Sequence, residues 1–237
     1  MELIWQGIVK ALELVFGGDG EVWATTWLSL KISGSATVIS LLLGIPLGIV
    51  LALARFPGRA IGVALVNTGM GLPPVVVGLF ISIALWRSGP LGFLDLIYTP
   101  AAMVTAQVVI AFPIVAGLTM ASFQSLDPNL ALQLLGIGAS RFQALWLLCK
   151  EARLPLLAAV MAGFGGVISE VGASMMVGGN IRGQTRVLTT ATVLETGKGN
   201  FDVAIALGLI LLALCFALNL ILTHVQQRGQ LRWPKLS

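Results

Sequence analysis

The sequence predicts an all-α membrane protein of about five transmembrane helices, with an amino-terminal interfacial helix and a further cytoplasmic helix between the third and fourth crossings. Three observations carry that prediction. Apolar residues make up 57% of the 237-residue chain and charged residues only 10%, with a mean hydropathy of +0.96, whereas soluble domains hold about 25% charged residues. The apolar residues arrive in runs that match the roughly 20 residues spanning a hydrocarbon core of about 30 Å. The 28 glycines follow no three-residue period, which excludes collagen, and suit helices that approach closely where lipid supplies no hydrophobic drive. A soluble enzyme is excluded.

Each element follows from its residues. In the amino-terminal segment, residues 1–22, Ile4, Ile8, Ala11, Leu12 and Val15 recur at helical spacing. They predict a short amphipathic helix that lies at the interface or packs on the bundle. Glu2 and Glu13, with no positive start and no small-residue cleavage pattern, argue against a signal peptide.

The transmembrane domain covers 23–225. Its first crossing, 23–54, holds Gly44, Pro46 and Gly48, the marks of a bend or a tight helix crossing. Lys31 near its start can snorkel to the interface, and Arg55, Pro57, Gly58 and Arg59 stop it. The second, 61–86, is interrupted by Gly69, Gly71, Pro73 and Pro74. Such a break frees backbone groups that protein or water must meet, so it reads as a broken helix near a pathway. The third, 99–122, contains Pro113, and the fourth, 154–177, contains Glu170. The fifth, 203–225, carries one Asn and no charge over its central run.

The connection 123–153 is too long to lack structure. Asp127 and Pro128 predict a helix start; Gly136, Gly138 and Ser140 break it; Phe142, Leu145, Trp146 and Cys149 resume at helical spacing. A short helix anchored at both ends suits docking into a groove of a soluble partner, or lies flat at the interface.

Eight basic residues fall in the odd-numbered connections and the tail (Arg55, Arg59, Arg141, Lys150, Arg153, Arg228, Arg232, Lys235) against five on the other side (Lys10, Arg87, Arg182, Arg186, Lys198). By the positive-inside rule the amino terminus is outside and the carboxyl terminus, with the basic tail 226–237, is cytoplasmic. The net charge of +4 is spread along the chain without a dense basic block, so nucleic acid is not a partner. Cys149 and Cys215 have neither disulfide nor metal-ligand spacing. His224 is the sole histidine, so a histidine zinc cluster cannot form. The glycine turns lack the strand, lysine and helix of a phosphate loop. No catalytic constellation is present, and no metal or cofactor site is expected.

The loop resembles the coupling loop of importer-type ABC permeases, whose pattern is an EAA triplet, a glycine and a downstream LP pair. Gly138, Ala139, Ser140 and Arg141 are similar to the family glycine and its continuation, and Leu154–Pro155 to the LP pair. Leu132, Gln133 and Leu134 stand where the triplet belongs. Glu170–Val171–Gly172–Ala173, Gly179–Asn180 and Thr185 to Leu188 resemble the matching stretch of molybdate, tungstate and sulfate permeases, most of all the tungstate ones. The resemblance implies the membrane subunit of an importer for tungstate or a related tetrahedral oxyanion in the plasma (inner) membrane, with molybdate or sulfate as alternatives. It implies a permease homodimer, two cytoplasmic ATPase subunits that bind the ATP and Mg, and an extracytoplasmic oxyanion-binding protein. The coupling contact then includes Leu134, Leu135, Gly136, Gly138, Ala139, Ser140, Arg141, Phe142 and Leu145. An ATP-independent secondary anion transporter is the other class; two matching halves and ion-coupling acids would mark it, and here there is one set of crossings.

A dianion pathway needs backbone N–H groups, hydroxyls and amides more than deep fixed charge. The candidates are Thr68, Gly69, Gly71, Ser82, Thr105, Gln107, Ser169, Ser174 and Asn180, each of which can instead serve a helix contact. Glu170, the single intramembrane acid, reads as a hydrogen-bonded brace near Ser169 and Ser174, a partner of Lys31, or a gate. Arg182 and Arg186 sit at the expected outer mouth, where they can meet an anion, a docking protein or lipid headgroups.

Overall fold

The computed structural model describes residues 2–228; Arg232, Lys235 and most of the basic tail lie outside the described residues. Eleven α-helices are formed among them: α1 (Glu2–Phe16), α2 (Gly20–Leu53), α3 (Arg59–Met70), α4 (Pro74–Leu85), α5 (Pro100–Gln124), α6 (Leu130–Gly136), α7 (Arg141–Glu151), α8 (Arg153–Ile168), α9 (Gly172–Gly178), α10 (Leu188–Gly197) and α11 (Phe201–Arg228). A single 3₁₀ turn, Gly92–Leu94, lies before α5. Three helices, α2, α5 and α11, are long and apolar enough to cross a membrane. Two further pairs pass only as bent spans: α3 with α4, at 104°, and α7 with α8, at 67°.

Two expected crossings therefore change shape. The interruption in 61–86 is a right-angled corner at Gly71, Leu72 and Pro73, because Pro74 opens a new helix that cannot donate back into α3. The fourth crossing is not continuous over 154–177. It stops at Ile168 and restarts at Gly172, with Glu170 in the gap.

The scaffold is the parallel pair α2 and α5. The buried face of α2 repeats small side chains at every fourth residue: Thr25, Ser29, Ser33, Thr37, then Ser40, Gly44 and Gly48. A Cβ on Gly48 would sit 2.5 Å from the Ala116 carbonyl oxygen and 2.7 Å from the Thr119 Cβ, and one on Gly44 2.8 Å from Val115. The Gly44/Pro46/Gly48 group thus makes a tight crossing within an unbroken helix. Buried hydroxyls bond backward along their helices, Ser29 to the Thr25 carbonyl and Thr37 to the Ser33 carbonyl, each at 2.7 Å.

Helix starts and stops follow their residues. Asp19 accepts the Glu21 and Val22 N–H groups at 2.9 and 3.2 Å and so caps α2. The Arg59 side chain donates to the Leu51 carbonyl at 2.7 Å at its other end. Helix α1 packs along α11, where Gly7 leaves no room for a Cβ beside Ile205; Leu3, Ile4, Trp5, Leu12 and Phe16 stay exposed on its other faces.

Two ends of the bundle are distinct. At one, α2, α4, α5 and α9 share a core of Ile32, Val77, Met103, Ala106, Ala173 and Val177. At the other, Phe123, Leu148 and Ala152 gather Ile49, Leu134, Leu145 and Leu156, which ties α6 and α7 to the ends of α2 and α5.

Candidate translocation path and coupling surface

The gap between α8 and α9 is built by Glu170. Its side chain is buried, and both oxygens are used: Oε1 accepts the Ala173 N–H and Oε2 the Ser174 N–H, each at 2.9 Å. The carboxylate thus caps the first turn of α9, where unpaired N–H groups and the helix dipole both favour negative charge. Its backbone carbonyl accepts the Thr189 hydroxyl at 3.1 Å. Lys31 is not its partner; the ammonium lies 5.4 Å above the Trp27 ring. Ser169 donates to the Gly165 carbonyl at 2.8 Å and does not touch the acid.

Around Glu170 the structure gathers a polar knot. Gln107, buried on α5, points its Nε2 at Ser174 Oγ, 3.5 Å away, and its Oε1 has no partner. Asn180 has a left-handed φ of 52° and donates from Nδ2 to the Thr190 carbonyl at 3.3 Å. The Thr185 hydroxyl donates to the Gly178 carbonyl and accepts the Ile181 N–H, closing the 179–187 turn. Ser29 on α2 accepts the Leu188 N–H at 2.9 Å, locking the start of α10. Ser29, Thr189 and Thr190 were not singled out in the sequence, and Thr185 was read there only as part of the permease-like stretch. The four-residue hydroxyl spacing on α2 and the T-x-x-L stretch were the available signals.

Other expected path residues lie apart from this knot. Thr68 and Gly71 are exposed at the α3–α4 corner, while Gly69 lets α3 close on Pro113, to which a Cβ would come within 2.7 Å. Thr105 is exposed and donates back to the Ala101 carbonyl at 2.9 Å. Ser82 has a buried hydroxyl without a partner. Gly78 and Gly172 bring α4 against α9: their Cβ atoms would meet Ala173 Cα at 2.6 Å and Val75 Cγ2 at 2.7 Å.

Arg182 and Arg186 are not bare charges. Both donate to Glu21 on the first turn of α2, Arg182 through Nη2 and Arg186 through Nη1 at 3.5 Å. The hydrogen bond and the charge of Glu21 push the Arg182 pKa further up.

At the opposite end, Gly138 turns the chain with φ of 92° between α6 and α7, a conformation that suits glycine. Ser140 then accepts the Gln143 N–H at 3.3 Å while the Gln143 side chain accepts the Ser140 N–H at 2.8 Å, a reciprocal cap. Asp127 makes a different start from the one expected. Its carboxylate accepts the Asn129 N–H at 2.8 Å in a turn, and α6 begins only at Leu130. Of the expected contact residues, Leu134 and Leu145 turn inward to the core, whereas Leu135, Gly136, Gly138, Ser140, Arg141 and Phe142 are exposed and Ala139 is half-buried. Leu132, Ile137 and Trp146, which are not in the expected contact set, extend the exposed apolar surface, with Ile137 82% and Phe142 78% exposed.

Long apolar helices around a buried polar knot, with an exposed apolar surface at one end, are the architecture of a membrane-embedded transport component, and comparison with known proteins agrees. The chain belongs to the family of binding-protein-dependent transport system inner membrane components, the permease subunits of ABC importers, which its residues 44–229 match. It is 38% identical over 96% of its length, and all of the relative's, to a tungstate uptake system permease protein of Peptoclostridium acidaminophilum. A probable anion ABC transporter permease protein of Haloferax volcanii is 39% identical over 82% of this chain and 86% of its own. The fold is that of an inward-facing methionine ABC transporter structure, with a TM-score of 0.73, 17% identity, and coverage of 89% of this chain and 97% of that one. Among the described residues no group of three or more His, Cys, Asp or Glu side chains could hold a metal ion.

Proposed function

We propose that the chain carries a divalent tetrahedral oxyanion, with tungstate as the physiological cargo, into the cytoplasm. The full-length likeness to the tungstate uptake permease supports this reading most directly. Molybdate and sulfate share the charge and the tetrahedral shape, so they are the competing cargoes. The amino terminus lies outside, in line with the basic connections at the α7 end. Two copies line the path, because one chain supplies too few crossings to enclose it. ATP and Mg belong to two partner ATPase subunits, and an extracytoplasmic binding protein delivers the ion.

The exposed surface of Leu132, Leu135, Ile137, Phe142 and Trp146 is apolar, short and held at both ends, which suits a groove on each ATPase. The path itself uses Gln107, Ser174 and Asn180, whose unpaired acceptor atoms or spare donors can rearrange as the ion passes. Glu170 is committed to α9, where two N–H dipoles partly offset its charge and weaken its repulsion of the cargo. Oxyanion-stimulated ATP hydrolysis by the chain assembled in lipid with its ATPase and binding protein tests this. Tungstate is expected to stimulate at lower concentration than molybdate or sulfate. Equal stimulation by all three would keep the oxyanion transporter and reject tungstate as its selected cargo, and no response with active partners would reject the oxyanion.

A further inference from the structure

We propose that Lys31, Arg182 and Arg186 form an oxyanion-receiving site at the outer end of the bundle, in which Glu21 is a resident counter-ion that the arriving ion displaces. The proposal rests on the oxyanion reading above. A cavity of about 410 Å³ lies there, walled by Glu21, Thr25, Trp27, Lys31, Arg182 and Arg186. That is many times the roughly 30 Å³ share of one water, so a tetrahedral ion fits with part of its hydration.

The charges in this wall are unbalanced. Three cations face one carboxylate, and Glu21 divides its two oxygens between the two guanidinium groups. Two further acids stand outside this wall and act on its cations at longer range, Asp19 on Arg182 and Glu195 on Arg186. Asp19 accepts two backbone N–H groups of α2, and Glu195 accepts Lys198 at 2.8 Å and Asn200 at 2.7 Å. Donor capacity remains: among the described residues Arg186 Nε is buried with no hydrogen-bond partner, and the Lys31 ammonium rests over Trp27 and pairs with no carboxylate.

A tethered carboxylate is a charge filter. A monovalent anion that displaces it gains no charge over the group it replaces and gives up the tether. A dianion with four oxygens brings twice the charge and can accept from both guanidinium forks at once. Depth adds direction. The Arg182 side chain is 72% exposed and that of Arg186 19%, while Lys31 is exposed and lines the same cavity from α2. Arg182 at the rim and the more buried Arg186 behind it form a stepped entry, which draws the ion in without holding it at one tight point.

The test uses the full chain in phosphatidylcholine nanodiscs, titrated calorimetrically with tungstate, sulfate and perchlorate. Glu21→Gln should tighten tungstate about tenfold and perchlorate more, so that discrimination by charge falls. The Arg182→Gln/Arg186→Gln pair should weaken tungstate by about tenfold or more, while Arg182→Lys/Arg186→Lys falls between and shows that the fold survives. Tungstate binding indifferent to all of these overturns the site. Discs of phosphatidylglycerol separate the two phosphate-like sources. If the wild type retains this lipid through purification, the glutamine pair does not, and tungstate binds in neither disc, the cations serve a lipid headgroup and the proposal falls. Oxyanion-stimulated hydrolysis by the assembled wild-type transporter is scored separately. A response there with indifferent Glu21 and arginine variants rejects this site alone; its absence rejects the oxyanion cargo.

Discussion

Glu170 shows how one side chain decides a local structure. Nothing in Ser169–Glu170–Val171 stops a helix by propensity: there is no proline, and the apolar run continues on both sides. A carboxylate that reaches forward to two N–H groups offers the backbone a better bargain than another helical turn, and the Thr189 hydroxyl takes the carbonyl that this frees. The sequence marked Glu170 as an intramembrane acid in need of partners. It could not show that the carboxylate turns forward onto the Ala173 and Ser174 N–H groups, because the helix break that allows this is completed by Thr189, which only the fold brings to 170. Glu170→Gln keeps one acceptor and sets an NH₂ against the other N–H, so it should lower stability by about 1–3 kcal/mol. Thermal unfolding in detergent, followed by tryptophan fluorescence, measures this. An unchanged midpoint would mean that the carboxylate is not holding α9.

Among elements, the glycine-rich α2 was the easiest to anticipate and the α3–α4 corner the hardest. Gly44 and Gly48 announce a close approach by their spacing, and the structure supplies the neighbour, α5. Gly71, Leu72, Pro73 and Pro74 announce an interruption equally well. An angle of 104°, however, is set by what α3 and α4 each pack on, Pro113 for one and Ala173 for the other, and neither is adjacent in sequence. Two substitutions on α2 separate helix propensity from packing. Gly34 has nothing within 4 Å of an added Cβ, so Gly34→Ala should stabilise by roughly 0.5–1 kcal/mol through propensity alone. Gly48→Ala meets backbone that cannot rotate away, and overpacking of this kind costs about 1–3 kcal/mol. Opposite shifts of the unfolding midpoint are expected. Shifts of the same sign would mean that the α2–α5 contact is loose.

For the molecule as a whole, membrane class, the span-rich chain and the helix–turn–helix loop were legible because each rests on local pattern: long apolar runs, glycine and proline breaks, and a capping serine. Which side chains of α6 and α7 face outward was not. Leu134 and Leu145 look as suitable as Phe142 in a list of apolar residues, but the ends of α2 and α5 claim them. A cysteine at Phe142, in a chain with Cys149 and Cys215 replaced by serine, should crosslink to the ATPase in the assembled transporter, while one at Leu145 should not. Gel mobility after mild oxidation, with cysteines placed around the ATPase groove, reads the result. Crosslinking at position 145 and none at 142 would require the loop to dock by its other face.

Helices α7 and α8 meet at one residue, Ala152, which is buried, donates its N–H to the Leu148 carbonyl and accepts the Leu156 N–H, both at 2.9 Å. There is no slack loop between them, only a 67° elbow. Such a joint works as a crank. A sideways push on Phe142 or Trp146 cannot be absorbed by a flexible connector and must turn partly into thrust along α8. The far end of α8 is the Glu170 gap, where the next helix begins on two hydrogen bonds to one carboxylate and packs on α4. The protein thus has a stiff elbow at the end that carries the exposed apolar surface and, beside the polar knot, a short helix start held by one carboxylate.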